Sequence, residues 1–300
     1  MPIPVTLIGG YLGAGKTTLV NHLLRQRDGR RIAVLVNDFG ELPIDSELIE
    51  ARDGALLQLA GGCVCCSFGS DLMAALQQML ALQPPPEQIL IETSGVAQPA
   101  AVARTLGLLR GLRLHAVLVL ADADSVRERA ADRYVGELVC RQLAEADIVV
   151  LNKCDLVTPA QADDLGAWLS AVAGGSRVLP CRHARIAPAL LWHDAHRRSS
   201  GARGDPVASD LFDSLSLEFT QRVQVQRLAE ALAAPPLALL RAKGLMHGAD
   251  GVPHALHVVG RRAGIEALAQ APPRGRLVCI ALRGRLQADR IRALLAASSV

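Results

Sequence analysis

The chain has 300 residues, half of them apolar, with 3% aromatic and 20% charged residues and a formal charge of +3. That length allows two domains, each with its own core. The charge is too small, and Lys and Arg too scattered, for a nucleic-acid surface, and no uncharged run is long enough to cross a bilayer. Seven cysteines, an odd number, fit free thiols in a reducing compartment better than a disulfide framework. The segment Met1–Val5 has no basic region leading into a long apolar stretch, so a secretory signal is not expected and the cytoplasm is the expected setting.

The first predicted strand, Val5–Ile8, runs into Gly10-Tyr11-Leu12-Gly13-Ala14-Gly15-Lys16-Thr17 and then a helical pattern through Leu24. Strand, glycine-rich loop and helix are the context that a phosphate-binding loop requires. Glycines such as Gly10, Gly13 and Gly15 let the backbone turn successive N–H groups toward phosphate oxygens, with Ala14 between them. The helix N-terminus adds its positive end. Lys16 is expected to bridge the β- and γ-phosphates, the Thr17 hydroxyl to ligate Mg²⁺, and Thr18 to reach the α-phosphate.

A second apolar strand, Ile32–Val36, leads into Asn37-Asp38-Phe39-Gly40-Glu41, with Asp45 beyond. That segment resembles a switch whose conformation depends on the γ-phosphate. After a third strand, Leu56–Leu59, comes Gly61-Gly62-Cys63-Val64-Cys65-Cys66. Cys63 and Cys66 have the spacing that lets two sulfurs converge on one ion, and Cys65 adds a third. Thiolates at about 2.3 Å suit zinc or cobalt, and three ligands leave one position open. The same spacing serves thiol–disulfide exchange, but the surroundings are not the small βαβ domain that usually carries it. Burial of all three as small hydrophobes is disfavoured by the glycine-rich loop.

Helical patterns over Ser70–Leu82, Pro99–Leu109 and Val135–Ala144 alternate with strands at Ile89–Ile91, Ala116–Leu120 and Ile148–Leu151. This alternation predicts an α/β domain, a mostly parallel sheet with helices on both faces. Two carboxylates stand at strand ends, Glu92 before Thr93-Ser94-Gly95 and Asp122 after Ala121. Either could bind Mg²⁺ through water, orient an attacking water, or merely cap the next helix. Asn152-Lys153-Cys154-Asp155 follows the strand that ends at Leu151. There the Asp155 carboxylate can accept from N1–H and the 2-amino group of guanine, which adenine lacks. Lys153 would lie along the base and Asn152 would brace the loop. The phosphate loop and this loop together favour GTP over ATP. Among the remaining cysteines, Cys140, Cys181 and Cys279 read as structural and Cys154 shows no evident partner. His193 and His196 are a possible transient metal pair, against the plainer reading of a solvated surface.

A helix at Pro159–Val172 and a strand at Arg177–Leu179 would complete this domain. Small polar residues and Gly/Pro between Arg197 and Ser209 mark a linker. Beyond it, strands at Leu215–Phe219, Leu237–Arg241, Leu256–Val259 and Leu277–Leu282, with helices at Val223–Ala233 and Gln287–Ala297, predict a small α+β domain. The expected boundaries are 1–186 for the P-loop domain, 187–212 for the linker and 213–300 for the second domain.

In this order the motifs resemble those of the CobW-like family of metal-chaperone GTPases, with Leu239-Leu240-Arg241-Ala242-Lys243-Gly244 similar to a stretch of that family's second domain. The resemblance implies a P-loop NTPase of the class shared with nickel-insertion GTPases, followed by the small carboxy-terminal domain. It implies GTP hydrolysis, expected to be slow because no arginine finger can be identified, for which Lys16, Thr17 and Glu92 are the candidate catalytic residues on the reading above. It also implies delivery of zinc, or cobalt, to a client metalloprotein or a metal-cofactor pathway. On the same basis Cys63, Cys65 and Cys66 hold the metal, with Asp38 or Glu41 a possible further ligand. The chain departs from the family in lacking a His-rich tract and in having Asp38 where Glu is common. A nucleotide-regulated redox switch and a non-catalytic GTP- and metal-binding sensor are the rival readings.

Overall fold

A computed structural model of the chain describes residues 2–27, 29–36, 56–58, 70–191, 212–269 and 273–300. The chain divides into two compact units, Met1–Ala195 and His196–Val300.

Seven strands build the first unit: β1 (Ile3–Gly10), β2 (Ile32–Val36), β3 (Leu56–Gln58), β4 (Gln88–Glu92), β5 (Leu112–Asp122), β6 (Ile148–Asn152) and β7 (Arg177–Pro180). They form one sheet in the order β3-β2-β4-β1-β5-β6-β7. Every pairing in it is parallel. A sheet built this way must be covered on both faces. Accordingly β2, β4 and β6 are buried at every position and β1 at all but its first described one. The helices between strands are α1 (Lys16–Arg25), α2 (Ser70–Ala81), α3 (Pro99–Leu106), α4 (Val126–Ala131), α5 (Gly136–Ala144) and α6 (Pro159–Val172). One core joins Leu76 and Met79 of α2, Val102 and Leu106 of α3, and Val139 and Leu143 of α5 to Val5, Leu7, Ile91, Val119 and Leu151 of the strands.

Local chemistry fixes the ends of these elements. Thr158 caps α6 through a reciprocal pair, its hydroxyl accepting from the Gln161 N–H at 3.3 Å while the Gln161 side chain accepts from the Thr158 N–H at 2.9 Å. Pro159 stands at the first helical position, where a missing N–H costs nothing. Inside the sheet, the Asp147 carboxylate accepts from the buried Val117 N–H at 2.8 Å. Gln88 donates to Thr6 Oγ1 at 3.0 Å, tying β4 to β1. Buried polar groups are tolerated only when paired in this way.

The second unit carries β8 (Phe212–Phe219), β9 (Leu239–His247), β10 (Pro253–Val259), β11 (Arg262–Ala267) and β12 (Gly275–Leu282), with α7 (Val225–Ala233) and α8 (Ala288–Ser298). The sheet order is β11-β10-β9-β12-β8, all antiparallel. Its core packs Leu228 and Leu232 of α7 and Ile291 of α8 against Ala242, Met246, Leu256, Val258, Leu277 and Cys279. β11, absent from the sequence reading, shows no clear alternation of buried and exposed positions. β9 runs to His247, well past the predicted Arg241. Leu237, predicted to begin that strand, instead ends a 3-10 turn, Pro235–Leu237. Among the described residues no helix is long and apolar enough to cross a membrane.

Leu228 is fully buried in this core. Leu228→Ala is expected to lower the unfolding free energy of the second unit by about 2–5 kcal/mol, read from urea denaturation followed by circular dichroism.

Candidate functional site

The parallel sheet sets four chemically distinct strand ends side by side. β4 ends at Glu92, β1 at Gly10, β5 at Asp122 and β6 at Asn152, and these strands are neighbours in that order. Ligand sites of open α/β sheets lie at such carboxyl ends.

The loop from Gly10 to Gly15 is a left-handed excursion. Gly10, Gly13 and Gly15 have φ of +130°, +76° and +102°, a region that side chains with a Cβ avoid. At Gly15 space forbids a side chain as well, because an added Cβ would lie 2.5 Å from Asn152 Nδ2. α1 starts at Lys16 on this glycine cap. The loop thus leaves backbone N–H groups and a helix N-terminus together, an arrangement suited to an anion. Lys16 folds back over the loop, its Nζ donating to the Tyr11 carbonyl at 3.5 Å. Thr17 Oγ1 donates to Glu92 Oε1 at 2.8 Å. Glu92 itself is buried. Thr18 is exposed on the first turn.

The segment after Glu92 is held from two sides. Thr93 N–H donates to the Ile8 carbonyl at 2.9 Å. Gln142, a buried residue of α5, donates to the Gly95 and Ala97 carbonyls at 3.1 and 2.8 Å. The sequence reading passed over Gln142, the one glutamine of that helical pattern, which carries no motif.

Asn152 joins three pieces of chain. Its Nδ2 donates to the Ala14 carbonyl at 2.9 Å, and its Oδ1 accepts from the Ala184 N–H at 2.7 Å. The Cys181 thiol lies 3.5 Å from the same oxygen. Asn152 thus ties the phosphate loop to the loop after β7, a connection the sequence reading missed. His183 and Ala184 both have φ of +52°. Such left-handed turns without glycine give no composition signal.

Lys153, with φ of +62°, places its Nζ 2.6 Å from Asp122 Oδ2. Asp122 Oδ1 also accepts from the Asp124 N–H at 3.1 Å. Asp122 is thus engaged with an ammonium and a turn, and the Thr17 hydroxyl bonds to Glu92. Asp155 lies exposed on the turn beyond. Cys154, without an evident partner in the sequence, has its N–H bonded to the Cys181 carbonyl at 3.1 Å and its thiol to the Leu151 carbonyl at 3.2 Å. Burial pushes the Cys154 thiol up and the Cys181 thiol to about 12.

Asn37, Asp38 and Glu41, the thiols Cys63, Cys65 and Cys66, and His193 and His196 lie outside the described residues. Among the described residues no group of three or more His, Cys, Asp or Glu is arranged to hold a metal ion.

Two outcomes follow from this geometry. Asn152→Ala removes the partners of the Ala14 carbonyl and the Ala184 N–H, both inside the loop junction. It is expected to cost about 2–4 kcal/mol in chemical unfolding, from two lost bonds at about 1–3 kcal/mol each less any rescue by water. Cys181 and Cys279, their thiols pushed to about 12 by burial, should resist iodoacetamide in the native protein at about pH 8 and react only after denaturation. Mass spectrometry of the alkylated peptides reads this directly.

Comparison with known proteins agrees with the architecture. The family described as CobW/HypB/UreG, nucleotide-binding domain, matches residues 4–180. The cobalamin synthesis protein cobW C-terminal domain matches residues 212–299. The zinc chaperone CobW of Pseudomonas aeruginosa is 36% identical over 184 residues, covering 51% of this chain and 49% of that protein. The zinc chaperone YjiA of Escherichia coli is 32% identical over 200 residues, covering 64% of this chain and 61% of its own. The chain therefore spans about half the length of the first relative and under two thirds of the second. A crystal structure of zinc-bound YjiA GTPase from E. coli aligns over 100% of both chains at 24% identity, with a TM-score of 0.45. Since the nucleotide-binding pattern runs through more than half of the chain and the cobW C-terminal pattern follows it, the protein belongs to the CobW/HypB/UreG family.

Proposed function

We propose that this chain is a GTP-hydrolysing metallochaperone, which binds a transition metal through thiolates and passes it to a client metalloprotein or metal-cofactor pathway. The observation that carries the nucleotide half is Asn152, whose amide fixes the phosphate loop and the base-reading loop in one rigid junction. A phosphate cradle and a guanine-reading carboxylate are useful together only when their spacing is held. The metal half is supported by relatives that are zinc chaperones and by the order of the motifs. The nucleotide domain would be residues 1–186, the linker 187–212 and the cobW-type domain 213–300, acting in the cytoplasm.

The chemistry assigned to each residue follows from its place. N–H groups of Gly13, Ala14, Gly15 and Lys16 receive the β-phosphate, and the Lys16 ammonium leaves the Tyr11 carbonyl for the β- and γ-phosphates. Thr18 reaches the α-phosphate. Asp155 takes N1–H and the 2-amino group of guanine, with Lys153 along the base. The hard oxygens of Thr17 and Glu92, 2.8 Å apart beside the first turn of α1, are a donor set suited to Mg²⁺. That ion, when bound, would neutralise charge developing on the β- and γ-oxygens. Glu92, buried and anchored, orients the water that attacks the γ-phosphorus, and GTP plus water gives GDP plus phosphate. Slow intrinsic turnover is expected, as for P-loop GTPases that act without an arginine finger.

Cys63, Cys65 and Cys66 take the cargo metal, zinc first through availability and cobalt by the same chemistry. Asp38 or Glu41 of the switch would complete its coordination. GTP and Mg²⁺ would hold the switch in one arrangement, so hydrolysis would change metal affinity or partner binding, and by linkage metal would alter GTP affinity or turnover.

The test joins both halves. Lys16→Ala should lower GTP turnover at least ~100-fold, and retained turnover would refute the phosphate-loop assignment. Cys65→Ala with Cys66→Ala should abolish tight zinc binding and the response of turnover to zinc while leaving basal turnover intact. Unchanged zinc binding would refute the thiolate site. Tight GTP binding with no phosphate release would favour the sensor, and metal-free protein with a reversible Cys63–Cys66 disulfide the redox switch.

A further inference from the structure

We infer that Asp122 is a positioning residue of the base site: it holds the Lys153 ammonium so that the lysine side chain is laid out ready for the flat face of guanine. The inference rests on the reading of Asn152–Asp155 as a guanine-binding loop. It adds a residue from a different strand to that loop.

Four observations bring the pair together. Asp122 and Asn152 are register partners at the ends of β5 and β6, so Lys153 starts from the strand end beside Asp122. The Lys153 backbone is left-handed, which redirects its side chain from the path a continued strand would give. Its Nζ then lies 2.6 Å from Asp122 Oδ2, with the two side chains 34% and 18% exposed. Asp122 is itself fixed, since its other oxygen accepts from Asp124 N–H and the Ala123 N–H donates to the Asn152 carbonyl at 2.9 Å.

A free lysine carries about 2 kcal/mol of rotamer entropy. Held at both ends, by a constrained backbone and by an anchored carboxylate, it has lost much of that freedom before any ligand arrives. Its four methylenes then form a stiff apolar strip against which a heterocycle can pack. Preorganisation of this kind raises affinity by reducing the ordering cost of binding. Because guanine packs equally in GTP and GDP, the effect belongs to ground state and transition state alike. It should appear in KM and not in kcat. The carboxylate makes no contact with phosphate in this role, so the effect is independent of Mg²⁺.

Binding of fluorescent N-methylanthraniloyl-GDP, with and without Mg²⁺, and steady-state GTP turnover test this on the full chain. Asp122→Asn should weaken GDP binding about tenfold in EDTA as well as in Mg²⁺, and raise KM for GTP by a similar factor with kcat nearly constant. Lys153→Ala should do the same, and the double variant should be no worse than either single one, since only one coupled unit is lost. Asp122→Glu, which keeps the charge, should recover most of the affinity. Three results would overturn the inference: a fall in kcat at constant KM, a loss seen only in Mg²⁺, or additive effects of the two substitutions. Asp122→Asn that binds GDP like wild type would overturn it too, leaving the guanine reading untouched if wild type still prefers GDP to ADP. No such preference in wild type would remove the guanine reading and this inference with it.

Discussion

The Asn152 amide spends both of its ends on backbone. One end donates to the Ala14 carbonyl inside the phosphate loop, and the other accepts from the Ala184 N–H beyond β7. Asn152 is 3% exposed, so neither bond competes with water, and loss of the side chain would leave two polar groups stranded. Three segments distant in sequence are thereby fixed to one another by a single planar group. The absence of a Cβ at Gly15 belongs to the same arrangement, because the amide nitrogen occupies the space a side chain would fill. Loop conformation and loop spacing are one constraint here.

That constraint works because the sheet delivers its members to the right place. Parallel strands put all their carboxyl ends on one edge, and the order β4-β1-β5-β6 makes Glu92, Gly10, Asp122 and Asn152 near neighbours. Burial on both faces keeps the strands from shifting register, since a slip would expose apolar side chains or bury polar ones. Supporting bonds such as Gln88 to Thr6 and Asp147 to the Val117 N–H lie inside the sheet or at its edges. Gln142 carries this support outward to the segment after Glu92.

Much of this was legible in the residues. Phosphate-loop spacing and apolar runs at consecutive positions are local signals, each read within a few residues. What escaped is what depends on distant chain. Gln142 is an ordinary helical glutamine until the Gly95 and Ala97 carbonyls arrive above it. The positive φ of His183 and Ala184 occurs at residues that do not advertise it. β11, at the sheet edge, lacks the alternation that betrays a half-buried strand, and the Cys154 N–H meets the Cys181 carbonyl only because β6 pairs with β7. The thiols Cys63, Cys65 and Cys66 remain a reading of spacing and of family order.

Asp122 and Glu92 show how environment divides roles that residue type leaves equal. In sequence both are acids at the end of an apolar strand, and either would serve a metal. Glu92 ends β4, next to β1 and the first turn of α1, where it accepts from the Thr17 hydroxyl. Asp122 ends β5, on the other side of β1 and next to β6, and there it pairs with the Lys153 ammonium. A carboxylate already neutralised by a lysine is a poor cation ligand and a good anchor. The order of strands in the sheet thus separates the two acids, setting one beside the first turn of α1 and the other beside Lys153.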